Sequence, residues 1–192
     1  MQRWEITADD LTEVIDTNPS LRGMLLGYLG ETKAKKTWFD GRKEVTNVKK
    51  YDDHDRTKKG DISVTYGGRE FFIEVKSLQT NSIRCVDKVM CGKAQVDASD
   101  RRPVKLFDGS VVETTCLLVG EFDILAVNLF SFGEGWRFIF AKNKDLPRSK
   151  SKKYTPEQQQ HLLATTVNVS WPPEPPFTTD PYPLLDELLR GR

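Results

Sequence analysis

The sequence predicts an α/β fold, with α+β as its variant, built on a central mixed β-sheet flanked by helices. Helical periodicity gathers near the N-terminus, where Leu21, Met24, Leu25, Tyr28, Leu29 and Thr32 recur on one face. Short β-type runs then dominate as far as about residue 143. A helix with a clear start follows, with Thr155 as N-cap and Pro156 at the first position.

In chain order, Asp9 or Asp10 is placed to cap a short helix reaching about residue 15. A second helix is expected over residues 20 to about 36, with Gly23, Gly27 and Gly30 along it. Glycine weakens a helix, so these three suggest close backbone packing. "EVTNVKKYD" reads as a strand entering the polar loop "DDHDRTKKG". "GDISVTYGGREFFIEVKS" (60–77) reads as strand, Gly-Gly turn, strand. Residues 86–100 are ambiguous, with a helix expected near their end. "VVETTCLLVG" (111–120), "FDILAVNLF" (122–130) and "WRFIFAKN" (136–143) are three further strands. "SWPPEPPFTTDPYP" is excluded from regular structure because its six prolines remove donors and fix φ. "LLDELL" closes the chain as a short helix. Residues 1–170 are expected to form one domain with its core at about 20–143, and residues 171–192 a Pro-rich segment and short helix docked on it.

Of the 192 residues, 38% are hydrophobic, enough for a core, and 30% are charged. Net charge is +1, so global charge does not mark a nucleic-acid binder, yet "KAKK" (33–36), "RTKK" (56–59) and "RSKSKK" (148–153) are local basic clusters. The three cysteines are odd in number and lack a CxxC, which argues against a disulfide framework. His54 and His161 lack zinc-ligand spacing. No apolar run reaches transmembrane length, and the first residues lack the apolar stretch of a signal peptide. The expectation is a soluble, cytoplasmic protein of a reducing compartment.

The hairpin carries the chemistry. If Gly67 and Gly68 form a two-residue loop, Tyr66 faces Arg69 and Glu74 faces Asp61. Lys76 shares that face, diagonal to Asp61, with directly opposed Cβ atoms ~5 Å apart. Ile62, Val64 and Tyr66, against Phe71, Ile73 and Val75, form the opposite, apolar face. Opposed carboxylates need a proton, a cation or a metal. Lys76 compensates part of that charge, and a hard divalent cation with oxygen ligands compensates more.

Asp61 followed by "EVK" at 74–76 across a short hairpin resembles the PD-(D/E)XK nuclease superfamily, of restriction-endonuclease-like fold. Glu31, in the preceding helix, occupies the place of that family's helix glutamate. Gly60 stands where the family has a proline. The resemblance is firmest over residues 21–77 and implies Mg²⁺-dependent phosphodiester hydrolysis, with Mn²⁺ able to substitute. It implies a metal held by Asp61 and Glu74 with the Val75 backbone carbonyl, Glu31 reaching it through water, and Lys76 orienting or deprotonating the attacking water. The products would carry a 5′-phosphate and a 3′-hydroxyl.

DNA is the expected partner, a homodimer an admissible assembly, and a membrane no part of the expectation. Lys33 and Lys36 at the helix end, Arg56, Lys58 and Lys59 in the basic loop, and Gln79 and Asn81 past the second hairpin strand are the candidate nucleic-acid contacts. Gln95 is expected to serve structure. A restriction-type DNA endonuclease is the leading reading. A repair or recombination nuclease of the same superfamily and a non-cleaving nucleic-acid-binding module are the alternatives.

Overall fold

A computed structural model describes residues 2–51, 60–133 and 135–191. Helix α1 spans Ala8–Thr17 and α2 spans Pro19–Ala34, continuing into a π-helical turn, Lys35–Phe39. Strands β1 (Val45–Lys50), β2 (Ile62–Tyr66), β3 (Arg69–Ser77), β4 (Arg84–Val86), β5 (Val89–Gln95), β6 (Asp97–Lys105), β7 (Val111–Cys116), β8 (Ile124–Asn128) and β9 (Phe138–Lys142) follow. Then come α3 (Pro156–His161), β10 (Thr166–Trp171) and α4 (Tyr182–Arg190). No helix among the described residues is long and apolar enough to cross a membrane.

The central sheet has the order β1-β2-β3-β8-β9. Only the β3–β8 pairing in it is parallel, so the sheet is mixed, as expected. Helices flank it and lie mostly towards the chain ends, which makes α+β the apt description. A second sheet, β10-β5-β4, and the β6–β7 ribbon complete the β-structure. Thr155 caps α3 as expected, in a capping box with Gln158.

The apolar face of the hairpin is buried. Ile62, Val64, Phe71 and Ile73 have no exposure and Val75 has 6%. These residues pack with Ala34, Phe39, Leu184 and Leu185. The cover over this face is therefore the end of α2, the π-helical turn and α4. The opposite face of the sheet carries Leu125, Val127 and Ile139 into a second core with Ala94, Val96, Val167 and Val169 of the smaller sheet. Both faces of the central sheet are thus covered.

Five local expectations are overturned. The cap of α1 is Thr7, not Asp9 or Asp10, because its hydroxyl accepts from the Asp10 N–H while Asp10 accepts in return. The face of α2 bearing Leu21, Met24, Tyr28 and Leu29 is exposed; the helix meets the sheet through Gly30, Glu31 and Ala34 instead. Of the three glycines on α2, only Gly30 is closely packed: a Cβ there would sit 3.1 Å from Asn128 Nδ2. Residues 89–105 form strands β5 and β6 rather than ending in a helix. Buried Gly92, Ala94 and Val96 alternate with exposed Lys93 and Gln95, a strand period hidden by small residues. Gly92 leaves room for the Phe132 ring. Likewise both ends of the Pro-rich segment enter regular structure: Ser170 and Trp171 end strand β10, and Tyr182 and Pro183 begin α4, where a proline in the first turn has no intrahelical bond to lose.

Ile73→Ala is expected to cost ~2–5 kcal/mol in chemical denaturation, the range for truncating a fully buried isoleucine. Met24→Ala, at a position 61% exposed, should change stability by less than ~0.5 kcal/mol. Similar losses in both would contradict this assignment of faces.

Candidate active site

The hairpin register follows from its turn. Gly67 and Gly68 both adopt positive φ, +56° and +78°, as a primed two-residue turn requires. Pairing then runs from Tyr66↔Arg69 to Ile62↔Ile73, which brings Asp61 to the level of Glu74. Leu189 of α4 fills the space beside Gly67, so the turn is also a docking point.

Asp61 sits at the mouth of β2, held on both sides. Its N–H donates to the Ile73 carbonyl at 2.9 Å, and its own carbonyl accepts from the Tyr51 N–H at 3.0 Å. One of its carboxylate oxygens accepts from the Val75 N–H at 2.7 Å. Gly60 makes this entry possible. Its φ is +66°, and a Cβ would lie 2.9 Å from the Ile73 carbonyl oxygen. A proline, with φ fixed near −65°, cannot take this conformation.

Glu74 and Lys76 project from β3 on the face of Asp61, with Lys76 Nζ 2.7 Å from Glu74 Oε1. The Glu74 side chain is 12% exposed. That face is continuous with Leu125, paired beside Glu74 on β8, so the charges stand at the margin of an apolar core. Burial there disfavours the Asp61 carboxylate. The negative charges of Glu74 and Glu31 add to the effect, while Lys76 and the Val75 N–H oppose it. The sum pushes the Asp61 carboxyl up to about 8. For Lys76, burial acts against the charge, but Glu74 and Asp61 outweigh it and hold the ammonium above its usual range.

Glu31 approaches from the buried end of α2, close enough for its charge to act on Asp61. Its carboxylate pairs with Lys50 at 2.6 Å. Lys33 stands 5.7 Å from the Trp136 ring centroid, and Lys36 is exposed on the π-helical turn. Neither has a described contact with Asp61, Glu74 or Lys76. Arg56, Lys58 and Lys59, with His54, lie outside the described residues. Gln79 and Asn81 follow the end of β3, where Gln79 Nε2 donates to Gln95 Oε1 at 3.3 Å.

Three nearby residues escaped the sequence reading. Lys50, at the end of β1 opposite Ile62, pairs with the helix glutamate. Its place beside a run of charges was the available signal. Asp97, which opens β6, adds a negative charge felt by Lys76. Asn128, 2% exposed at the end of β8, receives Gly30 of α2 and donates to Ser77 Oγ at 3.4 Å. A polar residue ending an apolar strand was its only mark.

The donor set fits a hard divalent cation. Its carboxylates are oxygen donors, and Asp61 is raised first by burial and then by the charges of Glu74 and Glu31, which Lys76 opposes. Among the described residues no group of three or more His, Cys, Asp and Glu side chains is arranged to hold a metal.

The Asp61 shift predicts a pH dependence for the metal-free protein. Between its ordinary value of 3.8 and about 8, the folded state keeps a proton that the unfolded state gives up. Unfolding therefore releases a proton, and stability falls as pH rises through this window. Lys76 acts only above its ordinary value of 10.5, outside the window. Asp61→Asn should be more stable than wild type at pH 8 and lose that advantage towards pH 4. Parallel melting profiles for the two proteins across this range would refute the site electrostatics.

No family model matches the chain, and no curated protein matches it in sequence. Among solved structures it is similar to a bacterial homing endonuclease, I-Ssp6803I, at 17% identity and a TM-score of 0.35, over 72% of this chain and 87% of that one. A similarity of this size establishes neither a shared fold nor a shared activity, so the functional reading rests on the residues of the site.

Proposed function

We propose that this protein is a Mg²⁺-dependent DNA endonuclease of restriction-enzyme type that hydrolyses phosphodiester bonds. The observation that carries the reading is the convergence of Asp61, Glu74 and Lys76 at one end of the hairpin, at the edge of an apolar core. Asp61 and Glu74, with the Val75 backbone carbonyl, are the residues to hold Mg²⁺ or Mn²⁺, and Glu31 is placed to assist through water. When bound, such a cation supplies Lewis-acid polarisation of the phosphate and a lowered pKa for water.

The chain's own residues do the rest. The Val75 N–H fixes the orientation of the Asp61 carboxylate. Lys76, held above its usual range, is an ammonium at neutral pH. It orients the attacking water by hydrogen bonding to its oxygen and offsets charge developing on the phosphate, rather than taking the water's proton. The covered sheet keeps these groups rigid, so little reorganisation is needed as charge develops.

Supercoiled plasmid incubated with Mg²⁺, Mn²⁺ or EDTA tests the activity. Cleavage should need the metal and leave a 5′-phosphate and a 3′-hydroxyl. Lys76→Ala should keep the fold and most DNA affinity while cutting the rate by ~10²-fold or more, since an ammonium is no metal ligand. Mn²⁺ titration should show weaker binding to Asp61→Asn and to Glu74→Gln. Wild-type nicking by Lys76→Ala, or equal Mn²⁺ affinity in all these proteins, would overturn the assignment.

A further inference from the structure

We propose that the groove beside the end of β3 is a base-reading site, which takes the major-groove edge of an A·T pair through the amides of Gln79 and Gln95. This inference rests on DNA being the ligand. The groove measures about 450 Å³ and runs between α2 and the segment that leaves β3. Ser77 lines it, so it opens next to Lys76 in the chain. Arg22, Gly23, Gln79, Asn81 and Gln95 line it as well. Pro19, Leu26 and Leu78 form its apolar part, and its polar groups, amides and hydroxyls with one guanidinium, are side-chain types that contact base edges and phosphates.

The amide pair has a readable pattern. Gln79 Nε2 donates to Gln95 Oε1 at 3.3 Å. Among the described residues, neither Gln79 Oε1 nor Gln95 Nε2 takes another protein partner. The pair therefore leaves an acceptor, Gln79 Oε1, and a donor, Gln95 Nε2, unengaged by other described residues. Adenine presents the complement in the major groove, the N6 amino donor beside the N7 acceptor. The platform is held in place: the Gln79 N–H donates to the Lys93 carbonyl at 2.8 Å, and Leu78 bridges Ala94.

The opposite wall is kept open by a residue that packing does not explain. A Cβ at Gly23 would meet nothing within 4 Å. A helix-interior glycine costs ~1 kcal/mol relative to alanine. Here it leaves free the volume that a larger side chain would occupy in the groove.

Selection from a randomised duplex library, with Ca²⁺ in place of Mg²⁺, tests the site without requiring turnover. Wild type should enrich A·T at one position. Gln79→Leu and Gln95→Leu should each lower that enrichment roughly tenfold or more, while melting as wild type does. Gly23→Leu should fold at least as stably as wild type, yet bind the selected duplex roughly tenfold more weakly. A flat library, a preference that survives both glutamine variants, or unchanged binding by Gly23→Leu would overturn the groove. Wild-type plasmid cleavage with a flat library would sink this inference and leave the nuclease reading standing. A preference abolished by the glutamine variants, in a protein that cleaves with no metal, would do the reverse.

Discussion

The hydrogen bond from the Val75 N–H to the Asp61 carboxylate, 2.7 Å long, ties the acid at the start of β2 to the strand that carries Glu74 and Lys76. It spans the mouth of the hairpin, where the ladder between the two strands ends. The backbone bonds of Asp61 to Ile73 and Tyr51 hold its main chain, and this bond adds a tie on the carboxylate itself. With it, the three charges share one frame, which the Gly67 and Gly68 turn sets at the other end. A slip of one residue would exchange the buried and charged faces of the hairpin, so the apolar core enforces the register of the site.

That arrangement carries an electrostatic penalty. Charge is held where burial disfavours it, and the Asp61 carboxyl responds by keeping its proton to about pH 8. Sites under this kind of tension are commonly functional, because a ligand that relieves it binds with the free energy so released. The scaffold around the site absorbs the penalty. One face of the sheet is closed by the π-helical turn and α4, and the other by the smaller sheet. Tyr66 and Lys142 tie α4 to the sheet through Asp186 and Glu187, and Arg69 donates to the Leu188 carbonyl. The C-terminal helix therefore braces the hairpin turn from the side opposite the charges.

The connection from β3 to its parallel neighbour β8 is built entirely of β-structure and short turns. Parallel strands need a long crossover, usually a helix. Here the crossover folds into the smaller sheet and the β6–β7 ribbon, and the smaller sheet buries the charged face of the central sheet up to the edge of the site. The same crossover places Gln95 beside Gln79 and Asp97 near Lys76. A helix in that place would have brought different groups to the open end of β3.

By itself the sequence determined the hairpin. Two adjacent glycines, alternating apolar residues and three charges on one face leave a single register that buries the former and groups the latter. It also determined the start of α3, because Thr155 and Pro156 act within one turn. Tertiary structure decided what depends on contacts distant in the chain. Which face of α2 is buried was decided by Asn128 receiving Gly30, while the apolar period of that helix pointed outward. Strand β5 was hidden because its buried positions include glycine and alanine, whose burial depends on Phe132 and other neighbours far along the chain. The pairing of Lys50 with Glu31, and the proton held by Asp61, exist only once α2, β1 and the hairpin converge, since charge–charge energies depend on distances that no local pattern encodes.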